Sequence, residues 1–280
     1  MTRLTTTDVQ HIPRTIKKYD QELRKKTGRT LIEIARDAAQ VKGNVARILS
    51  RTSAAVVPVT TGKGVIEGFS EAVAAILDHL GIKTFVTKGN DVVGVAEAIE
   101  KGGNLIFAAD DNDFVAINLA TRHVVHNGEA TARAYVAALD CLAKGVKGKA
   151  VLVIGVGDVG SHAVADLIAR RANPLVVDID EGRLRIMKER YEDQVATFRT
   201  VAGAMRHTNL VIDAAPASNI IRSDMISANT LISAPAVPLG LTKGALKELN
   251  PQNLIHDPLQ LGVAAMAVEA CVARKGRSVA

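Results

Sequence analysis

The chain has 280 residues, a formal net charge of +6, two cysteines and no tryptophan. This length allows two domains of ordinary size, each with a core of its own. The cysteines, Cys141 and Cys271, lack the spacing of a zinc or redox motif. Two cysteines also do not suggest the disulfide framework of a disulfide-rich secreted protein.

No apolar run approaches the length of a membrane span, and the segment MTRLTTTDVQ has no apolar core of the kind that signal peptides carry. Basic residues cluster between Arg14 and Arg29 and again from Arg274 to Arg277. They alternate with apolar residues as on a solvated helix, and aromatic side chains for base stacking are scarce. We therefore predict a cytoplasmic protein that binds neither membranes nor nucleic acid.

The first fifty residues have the pattern of helices. Thr7 or Asp8 can cap a first helix, Gly28 interrupts the pattern, and Thr30 begins a helix whose apolar face continues to Leu49. These helices need a sheet or a partner to cover, so we expect them to pack on the α/β segment after residue 55.

Residues 56–109 alternate between strand and helix patterns, which predicts a small α/β domain. The first strand is predicted at residues 56–59 and the third at NLIFAAD. Ligands of open α/β sheets gather beyond the carboxyl ends of the strands. The residues at these two ends are Thr60, Thr61, Gly62, Asp110, Asp111 and Asn112.

Asp110 and Asp111 could hold the ammonium groups of an amino-acid substrate, although Asp-Asp-Asn sequences also form Asx-type turns. The stretch FVAINLATRHVVHNG then predicts a hairpin, and residues 129–144 a helix that leads into the second domain. Gly145 and Gly148 mark the boundary. The predicted domains are residues 1–145, helices and a substrate domain, and residues 146–280, a dinucleotide-binding domain.

The second domain begins with a β-branched strand at residues 151–154 that leads into G-x-G-x-x-G, formed by Gly155, Gly157 and Gly160. These glycines permit a tight turn, a close approach to a pyrophosphate and close packing of the next helix. That helix, beginning near Val159, directs its free N–H groups at the phosphates. Asp158 lies within the same turn.

A second strand, residues 174–177, ends at Asp178, about 20 residues past the glycines, where a carboxylate binds the adenosine ribose hydroxyls. Because no Arg directly follows Asp178 and a carboxylate repels a 2′-phosphate, the sequence favours NAD over NADP. The fold class is therefore α/β, with a C-terminal Rossmann-like domain after a smaller α/β domain.

Three later strand ends, in DAAPAS, SAPAVP and HDPLQLG, carry small residues and prolines beside the expected nicotinamide position. Small side chains there would let the ring lie flat, although tight loops have the same composition. The candidates are Ala214, Ala215, Pro216, Ala234 and Pro235. The sequence has no clustered Cys and His ligands and no Ser-His-Asp arrangement, so we predict no catalytic metal and assign no catalytic residue.

Together, VPVTTGKGVIEGFSEAVAAI, AADDNDF, VLVIGVGDVG and DPLQLGVAAM occur in an order that resembles the PylD-type dehydrogenases of pyrrolysine biosynthesis. The resemblance implies NAD-dependent oxidation of 3-methylornithyl-N6-lysine. Hydride leaves the δ-carbon of the ornithine moiety, the α-amine attacks the resulting imine, and ammonia departs as the ring closes to pyrrolysine. Ring closure is intramolecular and gains from proximity.

The resemblance also implies substrate-binding roles for Asp110 and Asn112, for Thr61 in the V-P-V-T-T-G motif, and for Leu4 as a cover over the site. Asp257 stands where the family has Glu, one methylene longer. Two alternatives remain open: another NAD-dependent amino-acid or imine dehydrogenase, and an NAD(H)-binding sensor without turnover. The oligomeric state does not follow from the sequence, and a homodimer is one arrangement compatible with it.

Overall fold

The computed structural model describes residues 4–272, which form two β-sheets with helices packed around them. The helices of the N-terminal half are α1 (Thr6–Val9), α2 (Ile12–Thr27), α3 (Leu31–Ala38), α4 (Ala46–Leu49), α5 (Phe69–His79), α6 (Asp91–Glu100) and α7 (Asn127–Leu142). Its strands are β1 (Ser53–Val57), β2 (Lys83–Val86), β3 (Leu105–Ala109), β4 (Phe114–Asn118) and β5 (His123–His126).

The N-terminal helices follow their capping residues. Gly28 ends α2 with a left-handed φ of 73°, and Thr30 begins α3 in a capping box with Glu33. Two predictions here were wrong. The cap of α1 is Thr5 rather than Thr7 or Asp8, and Asp8 serves as its partner in a capping box. The helix expected up to Leu49 is interrupted after α3, where Gln40 has a φ of 54°, and resumes only as the short α4.

The first sheet has the order β2-β1-β3-β4-β5, with parallel pairing from β2 to β3 and the predicted antiparallel hairpin in β4 and β5. Strand β1 begins at Ser53, three residues before the predicted start. It ends before Pro58, because proline has no N–H to donate to the ladder. Helix α6 covers one face of this sheet, and α2, α3, α5 and α7 contribute to the core on the other.

The second sheet contains β6 (Ala150–Ile154), β7 (Asn173–Val177), β8 (Ala196–Thr197), β9 (Leu210–Asp213), β10 (Leu231–Ala234) and β11 (Leu254–His256). All its pairs are parallel in the order β11-β10-β9-β6-β7-β8, the order of a doubly wound dinucleotide fold. The helices that follow α7 are α8 (Asp158–Ala169), α9 (Glu181–Tyr191), α10 (Val201–Met205), α11 (Lys243–Glu248) and α12 (Gln260–Val272). The short β8, α10 and α11 have no counterpart among the predicted elements.

Helices α7 and α12 join the two halves. Ala130 and Ala134 of α7 pack into the core of the first sheet, whereas Val136 and Leu139 pack into that of the second. Helix α12 follows the last strand of the second sheet but packs into the core of the first. A helix that is apolar on every side is suited to such a position. The boundary between residues 145 and 146 stays a prediction, and Arg274, the predicted end of α12, lies outside the described residues.

Within residues 4–272, no helix combines the length and apolar character that crossing a bilayer requires.

Candidate functional site

A cavity of ≈ 660 Å³ lies between the carboxyl ends of the two sheets, within the size range of ligand sites. Its wall includes the residue that directly follows each of β1, β3, β6, β7, β9, β10 and β11. Those residues are Pro58, Asp110, Gly155, Asp178, Ala214, Pro235 and Asp257. Two parallel arrays of strands therefore direct their ends at one space, as the rule for open α/β sheets predicts.

The glycine turn between β6 and α8 forms one end of the cavity. Gly155 has a φ of 81°, and a Cβ there would lie 2.9 Å from Ala215 Cα. A Cβ on Gly160 would overlap the carbonyl oxygen of Gly155. Gly157 differs, since the nearest atom to a Cβ there is Nη1 of Arg183 at 3.5 Å. Gly155 and Gly160 are thus required by packing, while Gly157 presents bare backbone to the cavity at the N-terminus of α8, a cradle that fits a pyrophosphate.

The Asp178 side chain links the glycine turn to the end of β7 by hydrogen bonds. Its Oδ2 accepts a hydrogen bond from the backbone N–H of Val156 at 2.7 Å, and its Oδ1 accepts one from Asp180 N at 2.9 Å. The side chain is 4% exposed and still lines the cavity. Because each carboxylate oxygen has two lone pairs, these bonds leave capacity for ribose hydroxyls.

Arg183 also lines the cavity at this end, with Nη1 3.9 Å from Asp178 Oδ2. Arg183 was missed from the sequence because only the position directly after Asp178 was considered. An arginine on the first turn of the following helix is the signal that could have found it.

Asp158 and Val159 line the cavity, whereas Gly160 does not, and the predicted contact of these three residues with the cofactor stays a prediction. The Asp158 carboxylate approaches the first half of the chain, since a Cβ on Gly128 at the start of α7 would overlap its Oδ2. His162 lies 3.5 Å from Asp158 Oδ1, and this pairing lowers the pKa of Asp158 and raises that of His162. Asp158 therefore bridges the two halves in addition to facing the cavity.

The small residues predicted beside the nicotinamide do not all line the cavity. Ala214, Ala215, Pro216 and Pro235 line the cavity, whereas Ala234 is fully buried inside β10 and does not.

Asp213, which ends β9, was missed as a structural group. It is fully buried, and its Oδ2 accepts the N–H of Gly240 at 2.9 Å, while Oδ1 has no partner. Burial raises the pKa of Asp213 to about 7. The side chain joins the end of β9 to the loop that follows β10, so it fixes two loops behind the cavity wall.

The opposite end of the cavity contains the Asp110 turn. Oδ1 of Asp110 accepts the N–H groups of Asn112 at 2.7 Å and Asp113 at 2.9 Å, and these bonds lower the pKa of Asp110. The Asx-type turn is thus present, and Asp110 and Asn112 are also exposed on the cavity wall. The predicted substrate contact of these two residues stays a prediction.

The loop after β1 lies against this turn, because Asp111 Oδ2 accepts the N–H of Lys63 at 2.7 Å. Leu4 lines the cavity, whereas Thr61 does not, and the substrate contact implied for Leu4 stays a prediction.

Asp257 lines the cavity but is only 3% exposed. Its Oδ2 accepts the hydroxyl of Tyr19 at 2.6 Å, and its Oδ1 accepts the N–H groups of Leu259 and Leu261, both at 3.1 Å. The Tyr135 hydroxyl donates to its carbonyl oxygen at 2.6 Å. Burial raises the pKa of both tyrosines well above the ordinary value. Asp257 therefore caps the start of α12, a role that was not predicted from the sequence.

A stripe of polar side chains on α7, not found from the sequence, also lines the cavity. It consists of Asn127, Thr131 and Tyr135, spaced four residues apart so that they share one helix face. Thr131 Oγ1 donates to Asn127 Oδ1 at 3.0 Å. Gly262 of α12 packs against them, since a Cβ there would lie 2.5 Å from Thr131 Oγ1. Polar residues at this spacing in an otherwise Ala-rich helix were the available signal.

Among residues 4–272, the His, Cys, Asp and Glu side chains form no group of three that could hold a metal ion. The predicted absence of a metal remains a prediction.

Residues 8–125 match the family model of the N-terminal domain of the pyrrolysine biosynthesis protein PylD. Over 266 residues the chain is 29% identical to pyrrolysine synthase of Methanosarcina acetivorans, which covers 95% of this chain and 98% of that protein. Pyrrolysine synthase of Methanosarcina barkeri is also 29% identical over 266 residues, with 95% and 97% covered.

Two solved structures have similar folds. Shikimate dehydrogenase from Aquifex aeolicus has a TM-score of 0.54 at 12% identity, covering 78% of this chain and 90% of that one. Quinate dehydrogenase from Corynebacterium glutamicum, solved in complex with NAD, has a TM-score of 0.54 at 14% identity, with 79% and 93% covered. This similarity shows a dehydrogenase-like fold with a parallel Rossmann-like sheet, as predicted.

Proposed function

We propose that this chain, which is similar to pyrrolysine synthases over 95% of its length, is an NAD-dependent dehydrogenase that converts 3-methylornithyl-N6-lysine to pyrrolysine. The observation that carries the proposal is a single cavity with a glycine turn at one end and an acidic turn at the other. A dinucleotide and an amino-acid-derived substrate with several amines would meet inside it.

The residues at the glycine end fit a dinucleotide. Gly157 and the free N–H groups at the start of α8 would hold the pyrophosphate, and Asp178 the adenosine ribose. Ala215 and Pro235 would offer a flat surface to the nicotinamide. Bound NAD would supply the two-electron oxidation of the terminal C–N bond of the ornithine moiety. Attack of the α-amine on the oxidised carbon and loss of ammonia would complete the pyrroline ring.

The residues at the acidic end suit a substrate with several ammonium groups. Asp110 has a lowered pKa, so it is ionised at neutral pH and exposes its charge to the cavity. Charge-assisted hydrogen bonds of this kind are about twice as strong as neutral ones. Asn127 and Thr131 add neutral polar groups along the wall, where the substrate amide would pass. The buried carboxylate of Asp257 would act through its field and through the remaining lone pair of Oδ2, which accepts only the Tyr19 hydroxyl, whereas two N–H groups already occupy Oδ1.

Incubation with synthetic 3-methylornithyl-N6-lysine and NAD tests the proposal, with NADH absorbance and pyrrolysine mass as readouts. The matched control substrate replaces the ornithine moiety with its analogue lacking the δ-amine, which can neither be oxidised to an imine nor lose ammonia. We expect NADH and pyrrolysine in equal amounts with the first substrate and neither with the control. Turnover of ornithine alone would favour another amine dehydrogenase, and saturable NADH binding without turnover of any amine would favour a sensor.

A further inference from the structure

Arg183 lies on the first turn of α9, opposite the glycine turn and at the adenosine end of the cavity. Its Nη1 would be 3.5 Å from a Cβ on Gly157 and is 3.9 Å from Asp178 Oδ2. Its Nε is 3.5 Å from Asp180 Oδ2. The guanidinium thus stands between the bare backbone of the phosphate cradle and the carboxylate expected to bind the ribose.

The guanidinium is only loosely held. Both ion pairs are longer than a hydrogen bond, and the side chain is 53% exposed. Asp180 is occupied elsewhere, because its Oδ1 caps α9 by accepting the N–H groups of Gly182 and Arg183. A half-exposed arginine with two long contacts can turn toward a ligand at little cost.

We propose that Arg183 binds the adenosine half of the dinucleotide and, together with Asp178, sets the choice between a 2′-hydroxyl and a 2′-phosphate. The inference rests on the proposed function in that the cavity binds a dinucleotide. In the wild type, the Asp178 carboxylate attracts ribose hydroxyls and keeps the guanidinium partly neutralised. Without that carboxylate, the same guanidinium is free to bind a 2′-phosphate.

The chemistry of the guanidinium fits both roles. Its planar fork matches phosphate oxygens, and its face can stack on an aromatic ring such as adenine. Ile179, which is fully exposed, and Val201 both line the cavity, so apolar surface is also available to a bound ring. A 2′-phosphate would meet the charges of Asp178 and Asp180 together, which outnumber the single cation.

Titration of the full chain with NADH, followed by protein or cofactor fluorescence, tests the first role. Arg183→Ala and the longer Arg183→Gln should each weaken NADH binding by roughly 5- to 20-fold. The control is Arg185→Ala on the same helix, where the arginine is 75% exposed, contacts Glu189 at 3.9 Å and does not line the cavity. That variant should bind NADH within about two-fold of the wild type. Thermal melting verifies that all variants fold.

Titration with NADPH tests the second role. Asp178→Asn should gain NADPH affinity, and the double variant Asp178→Asn/Arg183→Ala should lose that gain. Equal NADPH binding by the single and double variants, or equal NADH binding by Arg183→Ala and Arg185→Ala, would overturn the inference and leave the proposed function standing. A wild-type protein that bound neither dinucleotide would overturn both.

Discussion

The two ends of the cavity are built in different ways. The glycine end is formed by backbone within a few residues of sequence, from Gly155 to Gly160, and its shape depends on the absence of side chains. The acidic end combines a turn after β3 with the start of α12, and its character depends on charge. Substitutions should therefore act on shape and stability at one end and on charge and turnover at the other.

Gly160→Ala should produce the largest loss of stability. The added Cβ overlaps the carbonyl oxygen of Gly155, a backbone atom that cannot turn aside. We expect the free energy of unfolding to fall by about 3 kcal/mol or more, measured by urea titration. Gly145→Ala is not a neutral comparison, because Gly145 has a φ of 101°. Gly203→Ala is a milder comparison, since a Cβ there would meet the side-chain oxygen Oγ1 of Thr200, at 3.0 Å, rather than backbone.

Gly157→Val should separate binding from stability at the same turn. Its φ of −69° and ψ of −156° suit any residue, and a Cβ meets only the flexible end of Arg183. The branched side chain would occupy the space of the pyrophosphate, so NAD affinity should fall about 100-fold, the loss of one to two charge-assisted hydrogen bonds. The free energy of unfolding should change far less than in Gly160→Ala. Unaltered NAD affinity would place the pyrophosphate elsewhere.

The same contrast explains what could be predicted from the sequence. Gly155, Gly157 and Asp178 were found because the glycine spacing and the strand that ends at the acid are local patterns. Arg183 is only five residues from Asp178, yet its position over Gly157 follows from the geometry of α9.

At the acidic end, the sequence placed Asp110 and Asp257 near the site but gave them the same role. The structure distinguishes them, because one is exposed in a turn and the other is buried under Tyr19 as a helix cap. The Tyr19 contact spans 238 residues of sequence, and no local pattern carries that information. The interruption after α3 was missed for another reason, since the apolar spacing continues past Gln40 although the backbone does not.

Asp110→Asn tests whether charge governs the acidic end. The asparagine oxygen can still accept the N–H groups of Asn112 and Asp113, so the turn and the melting temperature should be preserved. Losing a charge-assisted contact to the substrate should lower kcat/KM by roughly 10- to 150-fold, with NAD affinity unchanged. Asp257→Asn is the matched comparison. It should lower the melting temperature, because the buried bond from Tyr19 is weakened. Normal turnover in Asp110→Asn would mean that the Asp110 carboxylate stabilises the turn and does not contribute to substrate binding.

Asp213→Asn should have the smallest effect. This variant tests whether an acidic residue near the glycine end of the cavity has a structural role only. Because burial raises the pKa of Asp213 from 3.8 to about 7, the folded state holds a proton that the unfolded state releases between these values. The stability from this group is complete below the unfolded pKa and is lost as pH rises through about 7. The asparagine oxygen of the variant would still accept the N–H of Gly240, and the amide does not titrate.

From about pH 5 to about pH 7 the free energy of unfolding of the variant should rise by about 1–2 kcal/mol relative to that of the wild type, after allowance for partial hydration of the ionised carboxylate. Urea titrations at each pH measure this, with Asp193→Asn, whose side chain is fully exposed, as the control. A difference between variant and wild type that does not change with pH would mean that Asp213 is ionised in the folded protein throughout this range, and that its buried charge is stabilised by more than the Gly240 hydrogen bond.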